Sequence, residues 1–276
     1  MPQLLRLRPR TATPKTLAVC LGLALAPAGA GGQEAPARPA KDFKIERVEW
    51  QAEPALSQAV RRLIVRNDYG DIRARLAGDG VLMVSAVVQR LGSDPDIGVN
   101  VERHGDVLAV NVVAPPGRRA VSAERLGKAE VDRADLVVYV PATAALEATS
   151  FRGIVEARRL KGRVDAQTLD GEIRAETDGP VRARSESGAV TVSIGAAANA
   201  ATVIETDSGS VWLSLLDGAD HLVHVETGGQ VTSALALKDE PEPGGRHRMV
   251  GQVGKGGVPV IVRSESGAVE VVQRRR

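Results

Sequence analysis

Aromatic side chains make up only 2% of the 276 residues, with two Phe, two Tyr and two Trp. Polysaccharide clefts and single-strand nucleic-acid channels usually rely on ring platforms, and this composition offers little for either. Cysteine is scarcer still. Cys20 is the only one. Val19 precedes it, and the apolar run from Leu17 to Ala26 extends beyond it rather than ahead of it, which reads as a small hydrophobe and not as a lipidation site. Without that segment the chain holds no thiol, so disulfides and thiolate zinc sites are excluded. No later stretch approaches 18 consecutive apolar residues, and no membrane-spanning helix is expected after the N-terminal segment.

Histidine is also rare: His104, His221, His224 and His247. Three residues apart in a Val-rich strand, His221 and His224 point to opposite faces and cannot share one metal ion. No metal site and no cofactor are expected. A calcium-binding repeat of the Gly-Gly-x-Gly-x-Asp type is missing as well. Gly251-x-x-Gly254-Lys255-Gly256 lacks the frame of a phosphate loop, because Val-Pro-Val follows where Ser or Thr and a helix should stand. Ser187-Gly, Ser208-Gly and Ser266-Gly lack the Gly-x-Ser-x-Gly frame of a nucleophile elbow and read as repeated turns.

Charge is nearly balanced, and its small excess comes from the N-terminus. Arg6, Arg8, Arg10 and Lys15 precede the apolar run, and Ala28-Gly-Ala30 follows it, the order of a secretory signal peptide over residues 1–30. The whole chain carries +2; leaving out these four of 36 basic residues gives 32 against 34 acids, or −2. No nucleic-acid footprint remains, and Arg274–Arg276 reads as a short solvated tail. Residues 31–59 are expected to be a linker, Gly31 to Ala40, followed by a segment with Phe43, Val48 and Trp50 that could cap an open sheet end. One elongated domain is expected over 60–273, irregular from 60 to 140 and regular from 141 to 273. Leu235 to Gly257 interrupts that regularity as a long polar and glycine-rich excursion.

What the chain has in quantity is a repeat. Glycines at Gly153, Gly162, Gly171, Gly179 and Gly188 are spaced nine, nine, eight and nine apart. Each opens the same alternation, as in Gly-Arg-Val164-Asp-Ala166 and Gly-Glu-Ile173-Arg-Ala175: small or β-branched apolar residues at period two with charges between them, the pattern of a strand buried on one face. Asp or Ser stands before many of these glycines, and glycine is expected to supply positive φ in the turn. Thr168, Thr177 and Ser185 fall on the inner face, where a hydroxyl could reach turn backbone groups. The pattern returns at Gly209, Gly229 and Gly267. The seven residues Arg184 to Val190 recur unchanged as Arg263 to Val269. These eight glycines are expected to be structural turn positions, and no catalytic residue is assigned.

Two arrangements compete, a stack of parallel coils and an antiparallel meander, since Asp-Gly is also a hairpin signal. If each nine-residue unit paired with the next, Glu156 would face Asp165 and Arg174 would face Arg182. If a coil holds two strands, Glu156 meets Arg174, Arg158 meets Glu176 and Asp165 meets Arg182, all attractive. Facing pairs contribute roughly 0.2 to 1 kcal/mol each. The signs favour an all-β parallel β-helix or β-roll, a solenoid of about two strands per 18–20-residue coil, with Gly209 and Gly229 in adjacent coils.

Leu136-Val-Val-Tyr-Val-Pro-Ala-Thr-Ala-Ala-Leu-Glu-Ala-Thr, the glycine-opened strands after it, and Gly254-Lys-Gly-Gly-Val-Pro-Val-Ile-Val-Arg-Ser-Glu-Ser-Gly-Ala-Val resemble the bacterial adhesin-like β-solenoid domains of unknown function. The likeness covers residues 60–273 and departs at Arg159, where neighbouring units carry Thr or Ser. It implies an exported domain of the cell envelope, periplasmic or at the surface, whose partner is an envelope protein or a surface glycan. It implies no catalytic residues. The enzymatic alternative is a β-helix polysaccharide lyase or hydrolase working through outward carboxylates such as Asp165, Glu172 and Glu176.

Overall fold

The computed structural model describes residues 3–5, 43–91, 97–113, 132–195, 197–216, 218–241 and 246–274. Apart from Gln3–Leu5, the N-terminal segment with Cys20 and the linker lies outside the described residues, as do most of the irregular stretch after Pro115 and residues 242–245 of the excursion.

The protein is all-β, with one short helix among the described residues. In chain order the strands are β1 (Gln3–Leu5), β2 (Phe43–Gln51), β3 (Arg62–Asn67), β4 (Ile72–Leu76), β5 (Met83–Leu91), β6 (Gly98–His104), β7 (Val107–Val113), β8 (Arg133–Val140), β9 (Ala145–Ser150), β10 (Val155–Leu160) and β11 (Val164–Thr168). They continue as β12 (Ile173–Thr177), β13 (Val181–Ser185), β14 (Val190–Ile194), β15 (Thr202–Thr206), β16 (Val211–Leu216), β17 (His221–Thr227), β18 (Val231–Ser233), β19 (Lys238–Pro241), β20 (His247–Val253), β21 (Val258–Ser264) and β22 (Val269–Arg274). The helix α1 (Pro54–Ala59) starts at a proline, where the missing amide costs nothing, and links β2 to β3.

Two sheets share the strands, which enter them alternately from β8 to β19. The twelve-stranded sheet runs β1-β6-β7-β3-β9-β11-β13-β15-β21-β17-β20-β19, and the ten-stranded sheet runs β18-β22-β16-β14-β12-β10-β4-β8-β5-β2. From β9 to β16 each strand pairs in parallel with the strand two places on, at Val155↔Ile173, Val164↔Val181 and Ile173↔Val190. This is the pairing expected for the regular segment 141–273, but it holds only from β9 to β16; β17, β20 and β19 within that segment pair antiparallel. The inward residues form one continuous cluster of Val, Ala, Leu and Ile from Ala52 to Val271. Burial alternates strictly along most strands, as in Val181 to Ser185, because side chains of a pleated strand leave on opposite faces.

Glycine is required here for a reason other than the positive φ expected from sequence. None of the eight repeat glycines has φ in the left-handed region; among the described residues that conformation falls to Gly80, Gly105, Gly218, Gly254, Gly256 and Arg159. Instead, a Cβ at Gly171 would land on the Gly153 carbonyl, one at Gly188 on that of Gly171, one at Gly209 on that of Gly188 and one at Gly267 on that of Gly209. The backbone of each layer sits where the side chain of the next would go. Gly162 and Gly179 form a shorter column at the opposite rim, where a Cβ at Gly179 would lie 2.6 Å from the Gly162 carbonyl oxygen.

Hydroxyls fasten the same rim. Gly171, Gly188, Gly209 and Gly267 donate their amides to Thr168, Ser185, Thr206 and Ser264 at 3.0, 2.9, 3.0 and 2.8 Å. Hydroxyls on either rim also reach back a layer: Thr227 donates to the Gly267 carbonyl at 2.8 Å, and at the opposite rim Thr177 donates to that of Gly162 at 2.7 Å. The row breaks at Arg159. There the register between β10 and β12 shifts after Ala157↔Ala175, so that Leu160 faces Thr177. Arg159 bulges outward at φ 56°, and Leu160 takes the inward place. Arg158 therefore does not stack on Glu176 as the uninterrupted spacing implied.

Both ends depart from chain order. β21 and β22 lie between β15/β16 and β17/β18, so Gly229 stacks on Gly267 and not on Gly209, correcting the adjacency drawn from their spacing of 20. At the other end β3 and β4 lie between β7/β8 and β9/β10. Antiparallel strands finish each end. β20 and β19 follow β17, so the excursion after Leu235 is largely ordered as sheet. β5 and β2 follow β8, and β6 follows β7. The segment with Trp50 is thus the edge strand of the ten-stranded sheet.

Candidate functional site

With the space between the sheets filled by apolar side chains, chemistry is confined to the two outer faces and their rims. On the twelve-stranded sheet, the register lines up Arg184, Glu205, Arg263, Glu226, Arg248 and Glu240 across β13, β15, β21, β17, β20 and β19. The signs alternate at every step. Arg263 pairs with both Glu205 and Glu226 at 3.4 Å, and Arg248 with Glu240 at 3.4 Å. Exposed pairs of this kind add a few tenths of a kcal/mol each and mainly fix register.

The ten-stranded sheet carries a denser knot. Glu156 faces outward from β10, yet its side chain is only 6% exposed, because Arg73, Arg75 and Arg158 close over it. Arg75 donates to its carboxylate at 2.8 Å. Burial alone would raise the Glu156 pKa, but the hydrogen bond and charge of Arg75, with Arg158 and Arg73, hold it below the ordinary carboxylate value. Asp71 extends the knot, pairing with Arg73 at 3.1 Å and Arg133 at 3.0 Å and accepting the Ile154 amide at 3.0 Å. These side chains tie β4, β8 and β10 together, the strands where chain order and sheet order part. The knot itself was not legible in the sequence: Glu156 figured there only through its register with Arg174, and Arg75 and Arg133, which reach Glu156 and Asp71, lie 81 and 62 residues away.

The register expected for the outward charges holds at two of the three contacts and fails for Arg158 and Glu176 at the bulge, but the expected pairing does not form. Glu156 stands opposite Arg174 and Asp165 opposite Arg182. Arg174 nevertheless forks onto Glu172, just before β12, with nitrogen–oxygen distances of 2.5 and 2.6 Å, and Asp165 is met by Arg163, just before β11, at 3.6 Å. Side chains two apart along extended backbone share a face and need less reach.

The three carboxylates considered for an enzyme do not converge. Asp165 faces out from the twelve-stranded sheet and Glu172 and Glu176 from the ten-stranded one. Glu176 lines a cleft of about 270 Å³ with Arg159, Lys161, Asp178, Ser193 and Arg274, in which Lys161 and Asp178 already pair at 2.6 Å. Among the described residues no group of His, Cys, Asp and Glu is arranged to hold a metal ion. His221 is buried, and His224 faces outward. The ring nitrogens of His221 close no hydrogen bond of ordinary geometry; the Val258 backbone only faces them. Desolvation lowers its pKa, partly offset by that backbone group and by Asp220. No helix among the described residues is long and apolar enough to cross a membrane.

A different environment lies on the far half of the ten-stranded sheet. Trp212 leaves β16 outward between Thr191 of β14 and Glu270 of β22, with Thr232 of β18 beyond Glu270. Period two already places Trp212 outward, opposite in sense to the buried Val211 and Leu213. The surroundings that make it distinctive come from β22, which arrives 58 residues later in the Trp212↔Glu270 pairing.

The chain matches no protein-family model and no curated protein. Two solved structures are similar to it. One is a candidate cell adhesion protein from Clostridium sporogenes, 14% identical, covering 84% of this chain and 100% of that one with a TM-score of 0.43. The other is a candidate adhesin from Bacteroides fragilis, 10% identical, covering 85% and 98% with a TM-score of 0.32.

Proposed function

We propose that this chain is an exported, non-catalytic, adhesin-like module of the bacterial cell envelope, a parallel β-solenoid of two-strand coils that binds through rows of side chains on its outer faces. The observation that carries this reading is the register itself. Parallel pairing at every second strand repeats outward positions at the strand spacing of about 4.8 Å, producing long flat rows in place of a pocket. The ionisable groups of those rows are largely engaged with one another, in the Arg184-to-Glu240 row and around Glu156. Glycine columns and turn hydroxyls hold the rows flat; the eight repeat glycines act as structural positions and not as ligands. The order of charged, apolar and small residues in the first 30 positions supports export.

The test is to incubate the purified chain with separated envelope protein, peptidoglycan and envelope polysaccharide, and to measure retained protein and released soluble product together. Saturable retention without product is the expected result. Soluble product from any fraction, abolished by Asp165→Asn, Glu172→Gln and Glu176→Gln in combination, would replace this reading with the polysaccharide lyase or hydrolase. No retention on any fraction would remove the adhesin-like reading.

A further inference from the structure

We infer that Trp212, Thr191, Thr232 and Glu270 form a contact site for an uncharged saccharide, with the indole stacking on the CH face of a pyranose ring. The site rests on the adhesin-like reading above and specifies its ligand class. Three observations carry it. First, Trp212 occupies an outward position in a sheet whose strands β4, β10 and β12 fill such positions with Arg73, Arg75, Glu156, Arg158, Arg174 and Glu176. An indole on an outer face leaves part of its apolar surface in water and forgoes part of the free energy of burial that the inward positions gain. Second, its surroundings cover it only in part: Trp212 is partly buried, with part of the ring left open. The residues leading into the neighbouring strands, Ala189, Ser210 and Ala268, are exposed and small. Among the described residues nothing accepts a hydrogen bond from the Trp212 indole N–H. The exposed part of the ring and the donor are left for a ligand.

Third, the charge around the ring selects the ligand. Along the row the neighbours are Arg174, already forked onto Glu172, then Thr191, Trp212, Glu270 and Thr232. Only Glu270 brings an unpaired charge, and it is negative. Phosphate chains and acidic glycans are repelled, and a nucleic acid would need cations beside the ring. A lipid surface would need more than one apolar side chain. A saccharide uses what is present: an aromatic platform for the sugar's apolar face, two hydroxyls and a carboxylate for its hydroxyl groups, and an indole N–H for a ring or glycosidic oxygen. The strand spacing repeats along the row, so a linear chain can continue across Thr191 or Thr232.

The chain has two tryptophans, which makes the site directly observable. Trp50 packs against the core at the far end, and Trp50→Phe leaves Trp212 as the only indole. Titrating this variant with cellotetraose, chitotetraose and a β-galactotetraose should give a saturable change in indole emission with at least one of them. The same sugar, followed by calorimetry on the otherwise unchanged chain, should bind about tenfold or more weakly to Trp212→Ala and several-fold more weakly to Glu270→Gln, with thermal unfolding preserved. Calorimetry also decides the matter if Trp50→Phe fails to fold. Absence of saturable binding to all three sugars, or binding equally tight in Trp212→Ala, overturns the site. The two proposals fail separately: envelope fractions retaining wild type and Trp212→Ala alike would leave the adhesin-like reading standing and remove this one.

Discussion

From β9 to β16 the order of strands in the chain is their order in the sheets; at both ends a strand pair is slotted between partners made earlier or later. The middle is held by contacts between residues about 17 to 21 apart, such as Val155↔Ile173, Val164↔Val181 and Val190↔Val211. The ends are held by contacts such as Thr202↔Val260 and Val155↔Ile72. Closing a longer loop costs more chain entropy, though only slowly with length, and the ends carry devices the middle lacks. The Glu156 and Asp71 knot sits at one, and antiparallel strands β19 and β20 cover the other. Regular stacking needs only local repetition, whereas ending a stack takes specific long-range fastening.

That contrast can be tested, starting with the largest effect. Removing residues 258–274 deletes the pair that joins β15 to β17 and β16 to β18. The expected result is loss of cooperative unfolding by calorimetry, and a sharp transition close to that of the full chain would show that the inserted pair is dispensable. In the middle, Gly188→Val forces a branched side chain onto the Gly171 carbonyl. Because backbone on both sides must shift, destabilisation of about 3 kcal/mol or more is expected in denaturant titrations; an unchanged midpoint would refute the column.

His221 gives the C-terminal end a sensitivity to mild acid, whereas Glu156 of β10, with its lowered pKa, responds only to stronger acid. Its folded pKa lies below the unfolded value, so the unfolded chain binds the extra proton first. Stability is fully present above the unfolded value of about 6.5 and is lost as pH falls from there through the folded pKa. Thermal scans from pH 7.5 to 5 should show a slope that His221→Leu flattens, and an identical slope in the variant would sink the assignment. The smallest effect is expected from Thr168→Val, which keeps the shape and leaves the Gly171 amide without its acceptor. About 1 kcal/mol is anticipated from chemical denaturation, and a neutral or stabilising result would mean that the turn hydroxyls are not fasteners.

The same division separates what could be read from the sequence and what could not. Glycine spacing and the signs at Glu156, Arg174, Asp165 and Arg182 were enough to choose parallel pairing two strands on, because each of those signals is local and repeated. The inserted pairs left only an indirect trace. Arg184 to Val190 recurs unchanged at Arg263 to Val269, and in space both heptads flank β15, since β15 pairs with β13 on one side and β21 on the other. Spacing alone put Gly229 beside Gly209, and nothing local contradicted it. The reason for glycine was also misread, since a crowded neighbouring layer and a left-handed turn demand the same residue. Arg159 was visible as a missing hydroxyl, but the bulge that restores Leu160 to the core depends on packing. Trp212 could be placed outward from its alternation, while Glu270 beside it could not be foreseen without the position of β22.

The inserted C-terminal pair also sets a timetable. A chain emerging from its N-terminus completes β17 and β18 while the strands that must lie between them and β15/β16 do not yet exist. At roughly 5 to 20 residues per second, the gap remains open for seconds until β21 and β22 arrive. A product terminated before β22 therefore keeps bare strand edges in its interior, and only synthesis through Arg274 lets the two parts join.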